Sequence, residues 1–166
     1  MAVVTVKSTQ ITNRDAVPRV AIDARVQGAA SKYARGVAAI ANGDSIGSKY
    51  ILCSVPSNAL LISARLTAPD IGTTTAADFG LYRSTADGGA VVDADFFKAA
   101  VVLNAGAITK AEQLFGNIVT IANSEKPLWQ HLGLSADPGI NYDVVLTLTA
   151  AADAAGSVLG EIDFTQ

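Results

Sequence analysis

Few residues in this chain have the types and spacing that enzymes use. His131 is the single histidine among 166 residues, so any Ser-His-Asp or Cys-His device must be built on it. A string of nucleophile-elbow pattern stands at Gly43-Asp44-Ser45-Ile46-Gly47. That pattern exposes a serine hydroxyl only where a strand turns sharply into a helix. Here the string runs on into another strand-like stretch, so a glycine-rich turn is expected. One histidine cannot supply a His-Glu-x-x-His zinc site, and His131 is read as structural. Cys53 lies in mid-strand, where a small buried thiol is the ordinary outcome. A reactive thiolate needs an exposed, electropositive setting that the sequence does not show. Two carboxylate pairs, Asp93 with Asp95 and Glu161 with Asp163, have the composition of acid–base sites. On a strand Glu161 and Asp163 share one face, which suits a solvated edge or a contact to basic residues of another chain. On a helix Asp93 and Asp95 diverge. The turns at 42–45 and 137–139 each hold too few oxygen ligands for calcium unless two loops share a site. The turn at 86–90 lacks the lysine of a phosphate loop. No catalytic residue, metal or cofactor is expected, and the chain is read as a non-enzyme.

The elements that must carry these residues read as strands. Residues 50–55 and 59–68 are apolar runs flanking Pro56-Ser57-Asn58, a turn set by proline's fixed φ and by side chains that bond the local backbone. The two runs are expected to pair. Leu60, Ile62, Ala64, Leu66 and Ala68 alternate with Leu61, Ser63, Arg65 and Thr67, the period of a half-buried strand. Similar signals mark 33–40, closed by Asn42-Gly43-Asp44, and 76–83, closed by Ala86-Asp87-Gly88-Gly89. Residues 142–149 and 157–164 alternate as well, and the last is read as half of a terminal hairpin. Residues 4–7 and 117–121 suit short strands. Asp93 could cap a short helix before a strand at 100–103. Ser124, Pro127 and Gly133 frame a short helix through Leu128, Trp129 and Leu132. Residues 104–116 have no firm assignment. Seven or eight strands without a βαβ rhythm predict an all-β antiparallel sandwich of jelly-roll type with one or two short helices.

Two units are expected: an extended N-terminal arm over 1–30 and the sandwich over 31–166. The arm is polar, turn-rich and broken by Pro18. It either docks on a neighbour or stays an untethered terminus. Half the residues are apolar and only 6% aromatic, and the net charge is −3. The charge is uneven, +5 over 1–69 and −8 over 70–166, which suits a charged partner or a head-to-tail contact between copies. Arg14, Arg19 and Arg25 of the arm, with Lys32 and Arg35, are the expected docking residues. The basic residues are spread out and lack an aromatic platform, so nucleic acid is not the expected partner. No apolar run is long enough to span a bilayer, and the first residues do not read as a signal peptide. A single cysteine excludes an internal disulfide.

Several strings resemble small structural proteins of tailed bacteriophages. They are Val4-Thr-Val-Lys-Ser-Thr-Gln-Ile-Thr-Asn-Arg-Asp, Ala41-Asn-Gly-Asp-Ser-Ile-Gly-Ser-Lys-Tyr, Ser54-Val-Pro-Ser-Asn-Ala, Asp78-Phe-Gly-Leu-Tyr, Gly88-Gly-Ala-Val-Val-Asp-Ala-Asp-Phe-Phe, Leu132-Gly-Leu-Ser-Ala-Asp-Pro, and the stretch from Tyr142-Asp-Val-Val onward. The likeness covers nearly the whole chain and is to head decoration (cement) proteins. It implies a β-sandwich, made in the bacterial cytoplasm, that binds the outer face of the major capsid protein shell. Partners would then be the major capsid protein and further copies of the chain, as a dimer or trimer. No residue-level site comes with the resemblance. A carbohydrate- or receptor-binding jelly roll is the rival reading, favoured if Tyr33, Tyr50 and Tyr82 share an exposed groove. A tail-fibre or tail-tube protein is a further alternative.

Overall fold

The computed structural model describes residues 4–115 and 117–166. The first three residues of the expected arm and Gly116, in the unassigned stretch, lie outside the described residues. Eight strands follow a short helix α1 (Thr9–Asp15): β1 (Lys32–Ile40), β2 (Lys49–Pro56), β3 (Leu60–Ala68), β4 (Ala76–Arg83), β5 (Val91–Val102), β6 (Ile108–Glu112), β7 (Asn141–Leu148) and β8 (Gly156–Thr165), with α2 (Leu128–His131) between β6 and β7. They form two four-stranded sheets, ordered β1-β8-β3-β6 and β2-β7-β4-β5. Every pairing is antiparallel. Partners β1/β8, β2/β7, β3/β6 and β4/β5 nest one inside the next, which is the jelly-roll arrangement. Among the described residues no helix is long and apolar enough to cross a membrane.

Two expected pairings are corrected by this order. Strands β2 and β3 do not pair; the Pro56–Asn58 turn carries the chain from one sheet to the other. Its backbone groups bond elsewhere: Ser57 N donates to Ile140 O at 2.8 Å, and Ser57 O and Ala59 O accept from Trp129 N and Leu128 N at 2.9 and 2.8 Å. A turn whose polar groups are taken up by a third segment has none left for a hairpin ladder. Strand β8 likewise forms no hairpin with β7, since it lies between β1 and β3 in the opposite sheet.

Bulges account for the other departures. The register of β3 on β8 shifts between Leu61 and Ser63, so Leu61 is buried and Ile62 is 43% exposed. The expected alternation, with Ile62 on the same face as Leu60 and Ala64, is broken here. Residues 91–102 are one long strand, without the helix anticipated at Asp93. Its register on β4 breaks three times, and the irregularity lets consecutive Phe96 and Phe97 both reach the core, which strict alternation forbids. Their rings pack edge to face at 5.0 Å, and Phe97 meets Phe79 at 4.9 Å. Residues 4–7 and 117–121 are not strands; the latter holds a single bridge from Phe115 to Val119 and runs into a 3-10 turn at Ile121–Asn123. The α2 helix is as expected, except that it starts after Pro127 and Ser124 ends the preceding turn.

At one side the sheets close through β1 and β2. Gly36 and Gly160 sit opposite each other in the β1/β8 register. Leu52, the extra residue of a bulge between Ile51 and Cys53, fills the window they leave. A Cβ on Gly36 would fall 1.6 Å from the Leu52 carbonyl oxygen, and one on Gly160 would fall 2.7 Å from Leu52 Cδ1.

Candidate docking surfaces

The outer face of the β1-β8-β3-β6 sheet collects charge from four distant parts of the sequence. Arg35 stands opposite Glu161, Glu161 opposite Arg65, and Arg65 opposite Glu112. Directly opposed residues of neighbouring strands share a face with Cβ atoms about 5 Å apart, so these four make one row of alternating sign across the whole sheet. Arg35 Nη1 lies 3.9 Å from Glu161 Oε1, and Arg65 is ion-paired with Asp163 on the next level. Ser63 donates its hydroxyl to the same Asp163 carboxylate at 2.7 Å. Glu112 Oε1 accepts from the backbone N–H groups of Ala64, Gln113 and Leu114, which fixes its charge at the β6 edge. Tyr33 and Val37 flank the row on β1, 73% and 65% exposed. Alternation placed Arg65 and Glu161 on the polar faces of their strands, whereas Glu112 fell in the stretch without an assignment. The row itself depends on the order 1-8-3-6, which no local pattern reveals.

The five expected docking residues are distributed over three places. Arg14 and Arg19 line one open concavity of about 550 Å³ with Asp15, Ala16 and Val17. Arg14 bonds Asp15, which also takes Lys7, and these partners hold the Asp15 carboxyl at about 2. Arg25 is paired with Asp23 and turned into the body: its Nη1 donates to Asn58 O at 3.2 Å, and Thr165 donates its hydroxyl to Arg25 O at 2.8 Å. Lys32 bonds Gln166 at 3.0 Å on β1, and Arg35 opens the charged row. The helix α1 buries none of its residues, and Val4, Val6 and Val17 are 76%, 87% and 99% exposed. The arm therefore has an anchored root at Arg25 and a distal part that presents apolar and basic side chains.

Ser45 and His131 are not brought together. Ser45 lies in the β1–β2 loop, whose Gly43 N bonds Ala152 O beyond the end of β7. His131 lies with the 57–59 turn at the start of β7. The eight residues of β7, at about 3.3 Å each, set these groups roughly 25 Å apart. Burial beside Phe96 holds the His131 imidazole below its ordinary value. Burial, with the Asp143 carboxylate, pushes the Cys53 thiol up to about 12. Asp93 and Asp95 do not diverge: the strand turns them together, and burial and then Asp95 raise the Asp93 carboxyl. Among the described residues no three His, Cys, Asp or Glu side chains form a metal-binding group. Other carboxylates hold loops. Asp153 accepts from the Thr73 hydroxyl and N–H, from Thr74 N–H and from the Thr75 hydroxyl, bonds that hold it at about 2. Asp137 accepts from Ser57 at 2.5 Å and Gly139 N at 3.0 Å. Tyr33 alone of the three tyrosines considered for glycan binding is exposed. Tyr50 is half-buried against Asp44, and Tyr82 is buried under Lys49 in the opposite sheet.

No protein-family model matches this chain, and no curated protein matches it. Among solved structures, a chain from one described as "Cyanophage Pam1 capsid asymmetric unit" superposes with a TM-score of 0.54 at 17% identity. The match covers 89% of this chain and 92% of that one. At this identity the likeness is one of fold.

Proposed function

We propose that this chain is a bacteriophage capsid decoration protein, a non-enzymatic cement bound to the outer surface of the major capsid protein shell. The observation that carries the reading is the match of a complete jelly roll to a chain of a cyanophage capsid, over about nine-tenths of both. Cement acts by linkage. A ligand that binds only the assembled shell stabilises it in proportion to affinity and copy number. The distal arm, with Arg14, Arg19 and its exposed valines, reaches a capsid subunit, while Arg25 ties its root to the sandwich. Lys32 extends the basic surface at the start of β1.

Density mapping of particles assembled with and without the chain tests this directly. The expected result is added density on the outer shell and greater resistance of the shell to heat. Density confined to the tail, or no added density, overturns it. Removal of residues 1–22, which spares the Arg25 contacts, is expected to abolish shell binding and leave the sandwich's thermal transition in place.

A further inference from the structure

The charged row on the β1-β8-β3-β6 sheet has a property of order as well as of composition. Read across the sheet, its signs run plus, minus, plus, minus: Arg35, Glu161, Arg65, Glu112. Two copies can stack this face on itself by either of two in-plane two-fold axes. An axis running across the strands would set each residue on its own equivalent, Arg35 on Arg35 and Glu161 on Glu161. An axis running along the strands reverses the strand order of the second copy. Arg35 then faces Glu112 and Glu161 faces Arg65, each contact occurring twice. Every facing pair is attractive in the second arrangement and repulsive in the first.

The row is also incompletely satisfied within one chain. The Arg35–Glu161 approach of 3.9 Å is long for a charged hydrogen bond, and Arg65 pairs with Asp163 rather than with Glu161. Glu161 and Arg65 are the two residues set opposite each other at the centre of the stack. Tyr33 and Val37, apolar surface that a lone sheet face leaves in water, border the row. In the other sheet the backbone of Asp93 and Ala94 crosses over Gly80 and obstructs the middle of the face.

We propose that the outer face of the β1-β8-β3-β6 sheet is a self-association surface and that a second copy of the chain occupies it, giving a two-fold dimer whose axis runs along the strands. The dimer forms in solution and does not rest on the capsid reading. Isologous contacts of this kind demand a patch complementary to itself under one rotation, and the alternating row supplies that under one axis only.

Charge exchange tests the arrangement with the full chain. Sedimentation equilibrium from about 1 µM to about 500 µM is expected to show a species of twice the 17.0 kDa chain mass, weakened in 1 M NaCl, where screening acts over about 3 Å. Glu161→Arg makes the row plus, plus, plus, minus, and Arg65→Glu makes it plus, minus, minus, minus. Each places like charges at the centre twice over, and each is expected to raise the dimer Kd on the order of a hundredfold or more. An equimolar mixture of the two variants is complementary at all four positions, so a heterodimer of wild-type affinity is expected. The double variant, plus, plus, minus, minus, is again self-complementary and regains the homodimer. Far-UV circular dichroism and melting confirm that each variant is folded. Should a central exchange prevent folding, Arg35→Glu at the exposed rim serves in its place. It sets a carboxylate against Glu112 of the other copy at both ends of the row, and a loss of about tenfold is expected. A wild-type monomer throughout the range, a three-fold assembly, association untouched by the exchanges, or no heterodimer on mixing overturns the proposal.

Discussion

Replacing Gly36 by alanine should destabilise the sandwich by more than any other single added methyl on its β1 side. The φ of Gly36 lies outside the left-handed region, so alanine meets no backbone penalty there. Taken alone, the change would stabilise the protein by about 0.4–1 kcal/mol through the unfolded chain. The structure reverses that sign. The new Cβ would lie 1.6 Å from the Leu52 carbonyl oxygen and 2.7 Å from its carbon. To restore even a tight 3.0 Å contact, the β1 and β2 backbones must part by about 1.4 Å, and no side-chain rotation can substitute for that. Overpacking of this kind costs about 1–3 kcal/mol, and a backbone obstacle belongs at the upper end. A net loss of about 2 kcal/mol lowers Tm by about 4–8 °C for a domain of this size. Gly160→Ala is the internal control. Its Cβ meets Leu52 Cδ1, the end of a side chain, at 2.7 Å, so Leu52 can rotate and the loss should be about half as large. Calorimetric Tm of the two variants and wild type measures both. A Gly36→Ala protein as stable as wild type, or less perturbed than Gly160→Ala, would refute the account of how the two sheets close.

Two further outcomes follow from half-buried titratable groups. With its pKa raised to about 12 by burial and by Asp143, Cys53 should react with a disulfide reagent at pH 8 at least about a hundredfold more slowly in the native chain than in urea; equal rates would show the thiol to be exposed. His131 is held below its ordinary value by burial, so the unfolded chain binds its proton more readily than the folded one. The stability it contributes is complete above about pH 6.5 and declines as pH falls toward the folded value. His131→Phe should lose less stability than wild type between pH 7.5 and pH 5 in urea titrations, and an identical loss would place the acid sensitivity elsewhere.

What the sequence made legible was faces; partners were hidden in it. Strands β1 and β8 alternate cleanly, because each has one face on the core and one turned outward, and their limits follow from turn residues such as Asn42-Gly43. Alternation says nothing of which strand lies alongside. The Pro56–Asn58 turn therefore looked like a hairpin, although the bonds from Ser57 to Ile140 and Trp129 that send it across the sandwich come from more than 70 residues away. Strand β5 was obscured for the opposite reason. Its bulges put Phe96 and Phe97 side by side in the core and Asp93 over Gly80, so the period that would identify a strand is broken by the contacts that make it necessary. The docking surface shows the same division. Arg35 was picked out by charge alone, while Glu161, Arg65 and Glu112 become its neighbours only through the order 1-8-3-6. Charge exchange between Glu161 and Arg65 therefore probes topology as well as association: the four signs are complementary to a second copy only if those strands lie in that order.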